Sequence, residues 1–122
     1  MRREYAYLMD MLTAADELAG FVSGTDEARF LSSKPEQSFV FHRMAILGEA
    51  ANAVPAEMRA RYPELPWARL VALRNRLVHA YFDLDVPVLW NLASTQVAGL
   101  RQTIAGILRA EFPEATEGEA GP

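Results

Sequence analysis

Five side chains past the middle of the chain, Arg74, Asn75, Arg76, His79 and Tyr81, are of types that can grip an anion and move a proton. An arginine presents a planar fork of N–H donors that pairs with phosphate oxygens two at a time. A histidine, with a reference pKa of about 6.5, gives or takes a proton near neutral pH. On a helix running from Trp67, the apolar stripe reads Trp67, Leu70, Val71, Arg74, Leu77, Val78 and Tyr81, so an arginine occupies a core-like position. Burying a guanidinium without a partner is costly. Arg74 therefore pairs with a carboxylate, meets an anionic ligand or faces a second subunit, unless it snorkels from a partly covered helix edge. Glu49, midway along the preceding long helix, is the first carboxylate to test.

His79 shares a helical face with Asn75 and Arg76, four and three residues earlier. Taken alone, a histidine near a helix C-terminus more often caps or lies on the surface than catalyses. Arg74 and His79 are five positions apart, about 140° around an ideal helix. Joint action on one phosphate then requires a distorted helix end, long side chains converging around the axis, or a symmetry-related subunit. Tyr81, seven residues from Arg74, lies almost on the same face and by itself reads as a core tyrosine.

The elements that must position these residues are helical. Residues 4–22 carry Tyr5, Leu8, Leu12, Ala15, Ala19 and Val22 at helical spacing, ending near Ser23-Gly24. Thr25-Asp26-Glu27 offers an N-cap for a short helix through Phe30-Leu31. Ser33 and Glu36 have capping-box spacing, which predicts reciprocal bonds at the start of a long helix to about Ala53 with Val40, Phe41, Met44, Leu47, Gly48 and Ala51 as its stripe. Gly48 permits close approach by another helix. Pro55, Pro63 and Pro66 confine 56–62 to a short helix, and Pro66 opens the one that runs to about Ala80. Asp83 and Asp85 are N-cap candidates for a final long helix to about Glu111, striped by Val86, Leu89, Trp90, Ala93, Val97, Leu100, Ile104 and Ile107. No segment alternates with period 2. The expected architecture is all-α, an antiparallel up-and-down helical bundle of three long and two short helices. One domain spans 1–112, and 113–122 form an acidic, disordered tail. Trp67 and Trp90 read as core anchors, and His42-Arg43 as helix-surface residues.

Composition narrows the chemistry. At 122 residues the chain suits one domain with a single core. It has no cysteine, and its two histidines, His42 and His79, stand far apart, so neither a thiol nucleophile nor a Cys- or His-rich metal site is expected. No apolar run is long enough for a membrane span, and the N-terminal segment is interrupted by Asp10, Asp16 and Glu17 rather than built as a signal peptide, which reads as cytoplasmic. The formal charge of −4 argues at first against a nucleic-acid partner. That charge resides in Glu111, Glu114, Glu117 and Glu119, after which the rest of the chain is neutral. Between Arg43 and Arg76, six arginines face three acids.

Arg74-Asn75-Arg76-Leu77-Val78-His79-Ala80-Tyr81 resembles the Arg-x4-His-x-Tyr signature of the HepT-like branch of HEPN proteins. The resemblance extends to Tyr7–Leu12, Ile46-Leu47-Gly48-Glu49-Ala50, Tyr62-Pro63-Glu64-Leu65-Pro66-Trp67, and Tyr81-Phe82 followed by Trp90, in family order over roughly residues 5–105. One departure is Val71-Ala72-Leu73, where many relatives have Gly-Met; it alters packing rather than the catalytic set. The resemblance implies a HEPN-like bundle that forms a homodimer with two Arg/His sets along a shared cleft. It implies a metal-independent endoribonuclease without a cofactor, the toxin of a type II/VII-like toxin–antitoxin system. Arg74, His79 and Asn75 would be its catalytic residues, with Arg76 and Glu49 in support. The expected partner, besides RNA, is an MntA-type nucleotidyltransferase antitoxin that AMPylates Tyr81. The alternative is a non-catalytic helical nucleotide-binding partner of such a nucleotidyltransferase.

Overall fold

The computed structural model describes residues 2–79 and 85–115. Seven helices stand among them: α1 (Arg2–Ser23), α2 (Glu27–Ser32), α3 (Lys34–Ala53), α4 (Ala56–Arg61), α5 (Trp67–His79), α6 (Val86–Thr95) and α7 (Val97–Glu111). No strand occurs among the described residues, so the all-α reading holds, while the pattern differs from three long helices and two short ones. The chief difference is the last long helix, which is two, α6 and α7, joined at Gln96. There the Thr95 hydroxyl donates to the Asn91 carbonyl at 2.6 Å, a back-bond of the kind that bends helices. The apolar stripe runs through the joint, with Leu89, Ala93, Val97, Ile104 and Ile107 all buried.

The caps expected at α2, α3 and α6 form, the one at α3 only in part, while α4 and α7 start without a side-chain cap. Asp26 accepts from the Arg29 amide at 2.8 Å, and Asp85 accepts from the Val88 amide at 3.2 Å. Ser33 accepts from the Glu36 amide, but the return half of the expected capping box is absent. The Ser33 amide donates to the Phe30 carbonyl, and the Glu36 carboxylate instead accepts from the Thr25 hydroxyl at 2.7 Å. Glu36 thus ties the α1–α2 connection to α3.

α3 lies at the centre, packed on both α1 and α5, and α1 also packs on α7. Contact on two sides widens the buried face of α1, whose core residues are Leu8, Met11, Ala14, Ala15 and Leu18; Leu12, Ala19 and Val22, expected at its centre, are only half-buried. Phe30, Val40, Leu47 and Leu108 complete the core, and Trp90 stacks obliquely on Phe30 at 5.3 Å. No polar or charged residue among the described ones is buried. Asp83, Tyr81 and the tail from Thr116 onward lie outside the described residues.

Candidate functional site

The site is built on α5. Pro66 precedes its first turn and accepts from the Leu70 amide at 3.0 Å, as suits a residue with no N–H of its own. Trp67 anchors the start: its side chain is buried and its indole N–H donates to the Tyr62 carbonyl at 2.9 Å. Leu70 and Leu77 fix the inner face. Ala68, Arg69, Ala72, Asn75 and Arg76 form the exposed face.

The register of α5 against α3 is set at Gly48. A Cβ there would stand 2.5 Å from Arg74 Cβ and 2.6 Å from the Leu70 carbonyl oxygen, closer than any side chain tolerates. The absence of a side chain lets the two backbones meet. The next residue, Glu49, is thereby carried to Arg74, whose Nε donates to Glu49 Oε2 at 2.6 Å. Arg74 Nη1 donates to Asn75 Oδ1 at 2.8 Å. Of the five N–H donors of a guanidinium, three are left for a ligand.

Arg74 is not the core residue that its place in the apolar stripe suggested. Its side chain is 29% exposed and that of Glu49 61%. An ion pair this open to water contributes about 0–1 kcal/mol to folding, so its chief effect is to orient the guanidinium. Asn75 accepts from the Arg74 guanidinium and stands four residues before His79 in the sequence. His79 is the last residue of α5, but its side chain, like the whole of Tyr81, lies outside what the structure describes. Arg76 is exposed and makes no ion pair with any described residue.

His42 and Arg43 belong to a different contact. Arg43 Nη1 donates to His42 Nδ1 at 2.8 Å, while Arg43 pairs with Glu17 of α1 at 3.3 Å and lies over the Phe39 ring. No described bond joins them to Arg74.

One polar cluster was invisible in the sequence because its members are some 50 positions apart. Arg61 Nη2 donates to Glu111 Oε1 at 2.8 Å, and the Tyr62 hydroxyl donates to Glu111 Oε2. Hydrogen bonds from Arg61 and then Tyr62 hold the Glu111 carboxyl below the usual carboxylate range; burial and then the bond to Glu111 push the Tyr62 phenol up. This cluster clamps the end of α7 to the turn that launches α5. Among the described residues, no group of three or more His, Cys, Asp or Glu could hold a metal ion, and no helix is long and apolar enough to cross a membrane.

The chain is 32% identical over 102 residues to a probable ribonuclease HepT of Thermococcus cleftensis, covering 83% of this chain and 93% of that protein. It is 30% identical over 99 residues to a candidate RNase of Methanocaldococcus jannaschii, covering 81% and 91%. A second candidate RNase of that organism is 27% identical over 104 residues, covering 85% and 90%. No solved structure matches significantly. The profile of the family described as Ribonuclease HepT-like matches residues 11–107, which include α3, α5 and the whole Arg74–His79 segment, and the chain belongs to the HepT-like ribonuclease family.

Proposed function

We propose that the protein is a metal-independent endoribonuclease, the toxin of a toxin–antitoxin pair, that cleaves RNA with Arg74 and His79 in a cleft between two copies of the chain. The observation that carries this reading is the guanidinium of Arg74, oriented by Glu49 and Asn75 on the helix that ends in His79. Cleavage without a metal requires deprotonation of the ribose 2′-hydroxyl, charge stabilisation at phosphorus and protonation of the departing 5′-oxygen. The free N–H donors of Arg74 bind the non-bridging oxygens. His79 transfers a proton near neutral pH, and the second proton transfer falls to the other subunit's histidine or to water. The 2′-oxygen attacks phosphorus as the 5′-oxygen leaves, giving a 2′,3′-cyclic phosphate and a 5′-hydroxyl.

Asn75 fixes Arg74 relative to His79, Arg76 adds positive charge and Glu49 positions rather than transfers protons. An MntA-type nucleotidyltransferase antitoxin silences the enzyme by AMPylating Tyr81; the adenylate phosphate, seven residues from Arg74, competes for its guanidinium and fills the cleft. The deciding experiment is RNA cleavage with EDTA present by wild type, Arg74→Ala and His79→Ala. Wild type cleaves and both variants are inactive while remaining folded and dimeric. Activity in His79→Ala equal to wild type refutes the mechanism, and RNA or nucleotide binding without cleavage by wild type assigns the non-catalytic reading instead.

A further inference from the structure

On the exposed flank of α5, a groove of about 310 Å³ runs between α5 and the α6–α7 joint. Leu73, Leu92, Val97 and Leu100 give it apolar walls, Arg69 and Arg76 stand on its α5 side, and Gln96 lies at the joint. None of its lining residues is acidic. Arg69 and Arg76 are exposed and form no ion pair with a described residue, unlike Arg74, Arg61, Arg43 and Arg101. They are seven residues apart, about 10 Å along the helix. Arg76 stands three residues, one turn, before His79.

We infer that this groove holds an unstacked base of single-stranded RNA next to the scissile phosphate, with Arg69 and Arg76 on the flanking backbone phosphates. This rests on the RNA-cleaving reading above and adds where the strand lies. A flat base suits a slot with apolar walls and one polar group at its edge. The Gln96 amide, whose side chain is exposed and bonds no described residue, can meet a base edge. Cations that form no ion pair with a described residue, on a groove whose lining holds no acid, match a polyanion. A protein partner fits less well, because a stable interface buries about 800 Å² per side. Among the described residues only Leu31 and Val88 are exposed large hydrophobics, and of the two only Val88 lines the groove.

The test uses Ala72→Trp, which fills the groove from an exposed position, and Arg69→Ala. Each is compared with wild type in cleavage of unmodified RNA and in anisotropy of a labelled 2′-O-methyl single strand, which lacks the attacking hydroxyl. Ala72→Trp raises KM and Kd about tenfold, and the loss falls on KM rather than kcat. Arg69→Ala lowers the salt slope of binding by about 0.7, the share of one phosphate contact on a single strand. Arg69 is exposed, so this variant decides the matter even where the tryptophan disturbs folding. Wild type that cleaves RNA with KM, Kd and salt slope unchanged in both variants overturns the groove and leaves the catalytic reading intact. Wild type that binds without cleaving overturns the catalytic reading, and the Kd values then judge the groove alone; neither binding nor cleavage overturns both. An Ala72→Trp protein that changes its sedimenting mass while RNA binding stays constant assigns the groove to a second copy of the chain.

Discussion

Glu49 accepts a 2.6 Å hydrogen bond from Nε of Arg74, and it can do so because the residue before it is a glycine pressed against Arg74 Cβ and the Leu70 carbonyl. A backbone contact between α3 and α5 is thus converted directly into the orientation of one guanidinium.

Gly48→Ala tests that conversion. The added methyl meets backbone as well as a Cβ, and neither can swing aside. The helices must part, at an expected cost of about 1–3 kcal/mol in urea unfolding. Cleavage falls further than the unfolded fraction accounts for, since displacing a positioned group by about 1 Å can lower the rate about 100-fold. A variant with wild-type stability and rate shows that the helices do not depend on this contact.

Glu49→Gln separates orientation from stability. The pair is exposed, so thermal unfolding shifts by less than about 1 kcal/mol. The glutamine keeps an oxygen for Nε but loses the charge that fixes it, and single-turnover cleavage drops by about tenfold. A large loss of stability with an unchanged rate would reverse the assignment and make Glu49 purely structural.

Much of this arrangement was legible beforehand, for identifiable reasons. The helices announced themselves through Ser33, Asp26, Asp85 and the prolines, whose effects are local. Gly48 could be recognised as a place of close approach, and Glu49 as a candidate partner of Arg74, because an arginine in an apolar stripe demands an explanation. Burial and snorkelling of Arg74 could not be told apart, because a stripe gives an angle around the helix and not the depth of the neighbouring cover; the side chain is 29% exposed. The Gln96 joint was hidden because apolar spacing runs through it unbroken, and the Arg61–Tyr62–Glu111 cluster because it joins α4 and the following turn to the end of α7. The capping-box pattern misled in one half only, where Thr25 took the Glu36 carboxylate.

The Glu111 cluster imposes a pH dependence. Its carboxyl titrates lower in the folded chain than in the unfolded one. The associated stability is therefore fully present above the unfolded carboxylate pKa, about 4.3, and is lost as pH falls through the lower folded value. Tyr62 is raised, so its contribution is lost as pH climbs above about 10, where the unfolded phenol ionises first. Glu111→Gln flattens the acid limb of urea stability measured from neutral to acid pH. Tyr62→Phe removes one of the bonds to Glu111, costs on the order of 1 kcal/mol and leaves a shallower acid limb. An acid limb equally steep in Glu111→Gln and wild type assigns it to other carboxylates.

Asn75 offers the sharpest test of charge at Arg74. Its Oδ1 accepts from Nη1 at 2.8 Å without cancelling the positive charge that a phosphate must meet. Asn75→Ala frees the guanidinium but leaves its charge, whereas Asn75→Asp keeps an acceptor and adds a second carboxylate beside Glu49. With two acids on one arginine, the local charge turns negative and repels the RNA backbone. Affinity for an uncleavable single strand therefore falls in the order wild type, Asn75→Ala, Asn75→Asp, and the gap between the two variants narrows as salt rises because screening shortens the reach of the added charge. Equal or tighter binding by Asn75→Asp than by Asn75→Ala places the RNA phosphate away from Arg74, and with it the catalytic role of that guanidinium fails.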